Sequence, residues 1–261
     1  MLAPVAIGQQ LSMLKQNKFI KVYLDLVLTS TYVCSQLKDY DSGNVIQRER
    51  LDYEKISDAS LLLPKIKKIL EIINIDFYNV VEPKFIFDNN YYIFVPDSLY
   101  IKGKEKTFLK FNVGLESDDY VTTDSIEKLN IYNIYLPYVN INNYLIEKFK
   151  KLEFYHYNTV LINKIVSVSN SDSCHCFIEN TDLKILIIEN GEIFYFNSFS
   201  CKTLDDILYY TLLIINDQSF KNKNIPINIH AGKKIDEIKV KFNNFIKNIS
   251  VIKNNNFAQV L

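Results

Sequence analysis

Val22, Leu24, Leu26 and Leu28 recur at every second position, the period of a strand that buries one face. Thr31–Lys38 continues as its hairpin partner, and a third strand follows over about 44–53 after the turn Asp41-Ser-Gly43. The period then changes. Leu62, Ile66, Ile69, Leu70 and Ile73 share one face of a helix, in which Pro64 is tolerated only near the first turn. Strands are predicted near 77–81, 84–88, 91–95 and 130–136, and a helix from Asn140 to about Lys151. The stretch 101–125, with Lys102-Gly-Lys-Glu-Lys106 and Ser117-Asp-Asp, reads as a polar loop or insertion.

The second half is patterned more clearly. Apolar runs of strand length at 174–179, 183–189 and 192–199 are separated by Asn180-Thr-Asp182 and by Asn190-Gly191. Asn-Gly supplies the positive φ of a two-residue hairpin turn, so the three runs form an antiparallel meander. Thr203, with Asp206 three residues on, resembles a capping box. Leu204, Ile207, Leu208, Thr211, Leu212 and Ile215 follow at helical spacing, which places Leu212 in the core. A strand over 225–230 comes next, then a helix with Ile235, Ile238, Phe242, Phe245 and Ile246 on one face, and a last strand near 249–252. The order β-β-β-α-β-α is that of the ribonuclease H-like core. The first half opens in the same order, so the expected architecture is a duplication whose halves join near residues 150–160.

Composition narrows the class. A chain of 261 residues accommodates one large domain or two small ones, and 48% apolar with 23% charged residues is ordinary for a globular protein. Thirty basic and thirty acidic residues cancel, which removes the footprint of a dedicated nucleic-acid binder. Arginine occurs only at Arg48 and Arg50. Four cysteines, at 34, 174, 176 and 201, are too few and too scattered for a disulfide framework. No apolar run approaches the roughly 18–20 residues that span a bilayer. The opening Met1-Leu-Ala-Pro-Val-Ala-Ile-Gly lacks the positive flank of a signal peptide and reads as an arm before the first strand. The expected location is the cytoplasm, without membrane insertion.

Several segments together resemble one family. They are Tyr92-Ile-Phe-Val-Pro-Asp-Ser-Leu-Tyr100, Phe108-Leu-Lys-Phe-Asn-Val113, Phe154-Tyr-His-Tyr157, Ile188-Glu-Asn-Gly-Glu-Ile-Phe-Tyr-Phe-Asn-Ser-Phe199 and Asp205-Asp-Ile-Leu-Tyr-Tyr210. Over roughly residues 20–253 the chain is similar to the Bacteroidetes family called domain of unknown function 3822. The resemblance implies an α/β fold of two ribonuclease H-like lobes, an actin-like ATPase fold with degenerate phosphate loops. The first lobe would cover 20–152, with an insertion, and the second 153–261.

An active ATPase of that fold needs a glycine-rich hairpin in each lobe, because a close backbone approach to phosphate leaves no room for a side chain. It also needs an aspartate after the first strand to hold the metal-bound water. Here Leu24-Asp25-Leu-Val-Leu-Thr-Ser-Thr31 has the aspartate and no glycine, and Glu179-Asn-Thr-Asp182-Leu-Lys has no glycine either. Asp25 is the one candidate catalytic carboxylate, set against a relic or a plain strand residue. The nucleoside-binding stretch is reduced to His230-Ala-Gly232-Lys-Lys, where Gly232 before a helix is an anion-binding candidate set against a plain strand-to-helix turn. No cofactor is expected, with ATP and magnesium as the alternative.

Cys174-His-Cys176 is the one cluster with the look of metal chemistry. Its cysteines share a strand face and no second pair exists, so buried core cysteines are preferred to a zinc site completed by Cys201. His156, His175 and His230 have no nucleophile motif around them; His156 reads as a strand-end residue among aromatics. Lys184 is expected to point to solvent. Lys221, Lys223, Lys233, Lys234, Lys239 and Lys241 make a modestly basic C-terminal surface, read as a solvated face, with an acidic partner or nucleic acid as the alternative. The function expected from the whole is a non-catalytic scaffold or adaptor, holding a protein or peptide in the cleft between its lobes. The rival is a divergent nucleotide-binding enzyme of the ATPase or kinase kind using that cleft.

Overall fold

The computed structural model describes residues 20–168, 171–180, 182–217 and 225–253. The opening arm, Thr181, Lys221 and Lys223 lie outside the described residues. In the first part of the chain run β1 (Ile20–Leu28), β2 (Tyr32–Asp39), β3 (Val45–Asp52), helix α1 (Leu63–Ile72), β4 (Tyr78–Phe87) and β5 (Tyr92–Pro96). Then come α2 (Glu105–Leu109), β6 (Thr122–Ile126), β7 (Ile131–Tyr135), α3 (Val139–Phe149), β8 (Glu153–His156) and α4 (Tyr157–Val168). The last part holds β9 (Ser173–Glu179), β10 (Asp182–Glu189), β11 (Glu192–Ser200), α5 (Leu204–Ile215), β12 (Ile227–Ala231), α6 (Ile235–Asn243) and β13 (Ile249–Lys253).

Two five-stranded sheets carry the fold, ordered β3-β2-β1-β4-β8 and β11-β10-β9-β12-β13, and a three-stranded sheet is ordered β5-β7-β6. In chain order of their own strands, both large sheets read third, second, first, fourth, fifth. Each opens with an antiparallel meander, and in the second sheet β12 runs parallel to both β9 and β13. Grouped by contacts, the chain forms two compact units, Met1–Phe85 with Asn140–Phe154, and Ile86–Val139 with Tyr155–Leu261. The segment holding β5, α2, β6 and β7 thus belongs with the second unit.

Local chemistry explains most boundaries. In β1, Val22, Leu24, Leu26 and Leu28 are all fully buried, as their alternation requires. Pro64 sits in the first turn of α1, and Ile66, Ile69, Leu70 and Ile73 are buried beneath it. Asn74 ends that helix in the left-handed region at φ 50°. Asn190 and Gly191, at φ 52° and 79°, close the β10–β11 hairpin as the positive-φ pair does elsewhere. At the start of α5, Asp206 N donates to Thr203 Oγ1 at 3.1 Å while Asp206 Oδ2 accepts from Thr203 N at 2.9 Å, a complete capping box.

Five expectations need correction. The two strands expected near 77–81 and 84–88 are one, Tyr78–Phe87: Glu82 takes φ 48° just before Pro83, and the irregularity imitates a strand break. The stretch 101–125 is no plain loop. It holds α2 and the start of β6, and Leu109 and Val113 join Val95 and Ile134 in a small core. Helix α4 was not foreseen; with Tyr157, Asn158, Thr159, Leu161, Ile162 and Val166 all buried, it shows no single apolar stripe to read. Leu212 only packs partly against the core, while Ile207, Leu208 and Thr211 hold the buried stripe of α5. Phe245 lies past the end of α6 and points outward, whereas Phe242 and Ile246 are buried.

Candidate functional site

The hairpin between β1 and β2 is closed by its own side chains. Thr29 Oγ1 accepts from the backbone N–H of Thr31 and of Tyr32, each at 3.1 Å, and donates to the Tyr32 carbonyl at 3.3 Å. The Thr29 N–H donates to the Tyr32 carbonyl at 2.9 Å, and Tyr53 Oη donates to the Thr29 carbonyl at 2.8 Å. Donors that a phosphate loop would offer to an anion are thereby occupied within the turn. Asp25 sits on β1 before this hairpin, and its carboxylate accepts from Lys38 Nζ of β2 at 2.7 Å.

In the second unit, the β9–β10 connection has Asn180 at φ 53°, and Asp182 Oδ1 accepts from Ser200 Oγ at 3.2 Å. Gly232 lies between β12 and α6. The helix it precedes starts from Lys234 at φ 55°, with no side-chain cap. Cys174, Cys176 and Cys201 are buried in the apolar core between the second sheet and its helices. The Cys174 thiol is pushed well up, first by its hydrogen bond with Cys176 and then by burial, which keeps it protonated and inert. All four cysteines are unbridged, and among the described residues no group of three or more His, Cys, Asp or Glu side chains is placed to hold a metal ion.

The opposite face of that sheet carries an arrangement invisible in the sequence. Ser173 Oγ donates to the Ser171 carbonyl at 3.1 Å, so it accepts from His175 Nε2 at 3.0 Å. His175 Nδ1 is then an acceptor, and His230 Nε2–H donates to it at 2.9 Å. Phe177 stacks on His230 with ring centroids 4.6 Å apart. Burial holds both imidazoles down at about 4, with the neighbouring His175 and Lys164 adding to the effect at His230. Residues 55 apart meet here because β9 and β12 are parallel neighbours, and nothing local marks the pairing.

A second polar cluster joins the 86–139 segment to the second sheet. Lys184, expected at the surface, is buried on β10; its Nζ lies 2.9 Å from Asp88 Oδ1 and 5.5 Å from the centre of the Tyr157 ring. Tyr92 Oη is 3.3 Å from Ser198 Oγ, and the Tyr92 ring meets those of His156 and Phe196. His156 is fully buried among Phe87, Tyr92 and Tyr135, the aromatic surroundings read from its sequence. Its Nδ1 accepts from Asn158 N and its Nε2 donates to the Asn89 carbonyl, both at 3.2 Å. Burial, and then Lys184, bring it down to about 3, which keeps the imidazole neutral at neutral pH. Asp124 accepts from Tyr135 Oη at 2.7 Å and from the His156 N–H at 2.8 Å, with burial pushing its carboxyl up. Neutral histidine, engaged carboxylate and paired lysine give a scaffold of satisfied polar groups. They do not form a nucleophile–base pair.

The first unit holds a cavity of about 540 Å³ beside the end of α1, where Leu70, Ile75, Phe77 and Tyr144 supply apolar walls. Lys148 at its rim is paired with Asp76 at 2.7 Å, and Lys67 Nζ lies 5.1 Å from the Tyr144 ring centre.

Two five-stranded sheets of one strand order, each opened by a meander, define a protein of the actin-like ATPase fold. A Bacteroides thetaiotaomicron protein with that fold and unknown function superposes with a TM-score of 0.74 at 18% identity, over 91% of this chain and 94% of the other. The chain belongs to the family described as protein of unknown function DUF3822, whose pattern matches residues 16–249. The ethanolamine utilization protein EutJ from Carboxydothermus hydrogenoformans is similar at TM-score 0.51 and 10% identity, over 95% and 93% of the two chains. A type IV pilus biogenesis complex of PilM with PilN contains a chain similar at TM-score 0.51 and 8% identity, over 88% of each. No curated protein matches the sequence. Among the described residues no helix is long and apolar enough to cross a membrane.

Proposed function

We propose that this protein is a non-catalytic actin-like scaffold of the cytoplasm that binds another protein and neither needs nor hydrolyses ATP. The observation behind this reading is the first hairpin, where Thr29 Oγ1 occupies the N–H groups of Thr31 and Tyr32. A phosphate would have to displace that side chain and then approach a backbone that carries Cβ atoms at every position. The residues present therefore do not fit a nucleoside triphosphate with its magnesium. Asp25, tied to Lys38, serves as one half of an ion pair. Binding of a protein is argued by fold analogy with the PilM–PilN complex, an argument about architecture and not about residues.

Thermal unfolding with and without millimolar ATP and magnesium tests the reading. A ligand at about a hundred times its dissociation constant adds roughly 2.7 kcal/mol. In a chain of this size that raises Tm by about 5–10 °C. The expected shift is under about 1 °C. A shift of several degrees that disappears in Asp25→Ala overturns the reading and favours a divergent nucleotide-binding enzyme.

A further inference from the structure

The whole chain is neutral, yet Ile225–Lys253 carries six lysines against only Asp236 and Glu237. Lys241 pairs with Asp205 at 2.6 Å and Lys234 with Glu237 at 3.7 Å, and Lys233 is engaged as well. Lys239 and Lys247 are exposed and meet no carboxylate among the described residues. Solvated lysines alone are unremarkable on a helix. Here, however, they flank Val240 and Phe245, which leave 68% and 63% of their surface to water.

Phe245 cannot turn inward. Its neighbours Phe242 and Ile246 are already in the core, and its N–H is bonded to the Phe242 carbonyl at 3.0 Å, which fixes the turn. The Lys241–Asp205 pair ties α6 to α5, whose outer stripe continues from Asp205 to the exposed Tyr209 and Leu213, one helical turn apart each. Apolar groups set among unpaired positive charges match a partner that brings negative charge and an apolar anchor together. A nucleic-acid backbone supplies the charge but no aliphatic group to cover Val240 and Leu213.

We propose that α6, the turn after it and the outer stripe of α5 form the docking surface for an acidic segment of another protein, anchored by an aromatic or aliphatic side chain over Val240 and Phe245. The proposal rests on the scaffold reading and specifies the place and the chemistry of the partner. Lys239 and Lys247 supply the charge contacts, which set association rate and selectivity, and the apolar centre supplies most of the affinity.

The test uses the full chain and a fluorescent peptide of glutamates interspersed with leucine and one phenylalanine, followed by anisotropy. Binding that weakens with added salt is expected. It falls at least tenfold in Lys239→Glu/Lys247→Glu and again in Phe245→Ser, and is unchanged in Lys67→Glu on the first unit. Far-ultraviolet circular dichroism and Tm report whether each variant is folded, and the milder Lys247→Gln should show a smaller loss in the same direction. Absence of peptide binding, or binding indifferent to these substitutions, overturns the docking surface and leaves the scaffold reading standing. So does a preference of the same residues for single-stranded DNA, for phosphatidylglycerol vesicles, or for a second copy of the chain seen as a concentration-dependent mass. The scaffold reading fails separately, through an ATP-dependent rise in Tm.

Discussion

On the first sheet, Asp25 and Lys38 meet with 12% and 34% of their side chains exposed. On the second unit, Lys184 and Asp88 meet with 11% and 20% exposed. The chain's three histidines also lie in the second unit, all of them buried. The two sheets thus repeat one strand order, while the ion pair of the second unit lies deeper than that of the first. The lesson is that what both sheets share is buried apolar strands, alternating along β1 and continuous along β10. The polar chemistry is local to each unit and free to diverge. In the second unit it serves cohesion: His156, Asp124, Lys184 and Asp88 hold the 86–139 segment to its neighbours.

Acid should separate the units most. His175 and His230 are held down to about 4 and His156 to about 3, against an unfolded value near 6.5. Below about pH 6.5 the unfolded chain takes up protons that the native second unit refuses, so stability present above that pH is lost as pH falls. Each histidine contributes at most about 1.4 kcal/mol per pH unit across its window. Asp124, pushed up, acts in the opposite sense at the acid end. Urea midpoints between pH 7.5 and 4.5 measure the slope. Hydrogen exchange should locate the loss in β9 and β12 before β1 and β2; equal loss in both units would erase the contrast.

The two ion pairs provide the next test. Asp88→Ala leaves a buried ammonium without its partner and should cost about 3 kcal/mol. Asp25→Ala leaves Lys38, which already reaches water, and should cost less than about 1 kcal/mol. Similar values for the two would mean that depth does not distinguish the pairs. The smallest effect is expected at Leu212, which only leans on the core. Leu212→Ala should cost about 1 kcal/mol, below the roughly 2–5 kcal/mol of a fully buried leucine.

The elements legible in the sequence were those whose signals are local. Val22 to Leu28 declares its strand by alternation, and Asn190-Gly191 and Thr203 with Asp206 declare a turn and a cap by residue chemistry. Helix α4 escaped because it is apolar on several sides, and β4 looked like two strands because Glu82 and Pro83 interrupt its regularity. The site-level gaps have one cause. His175 meets His230 through strand order across 55 residues, and Lys184 meets Asp88 through packing across 96. Lys184 reads as a surface residue because a lone lysine on a strand ordinarily points to solvent, and its partner stands 96 residues away. The phosphate hairpins could be judged from missing glycines, but the use of the Thr29 hydroxyl as an internal cap appears only in three dimensions.

The left-handed turns have a thermodynamic side. The chain contains only six glycines, and asparagine takes the positive-φ positions at 74, 130, 180, 190 and 248. Glycine there would relax the native turn but widen the range of conformations open to the denatured chain. With asparagine, part of this protein's stability resides in the restricted freedom of its unfolded ensemble, a contribution that no contact in the native structure records.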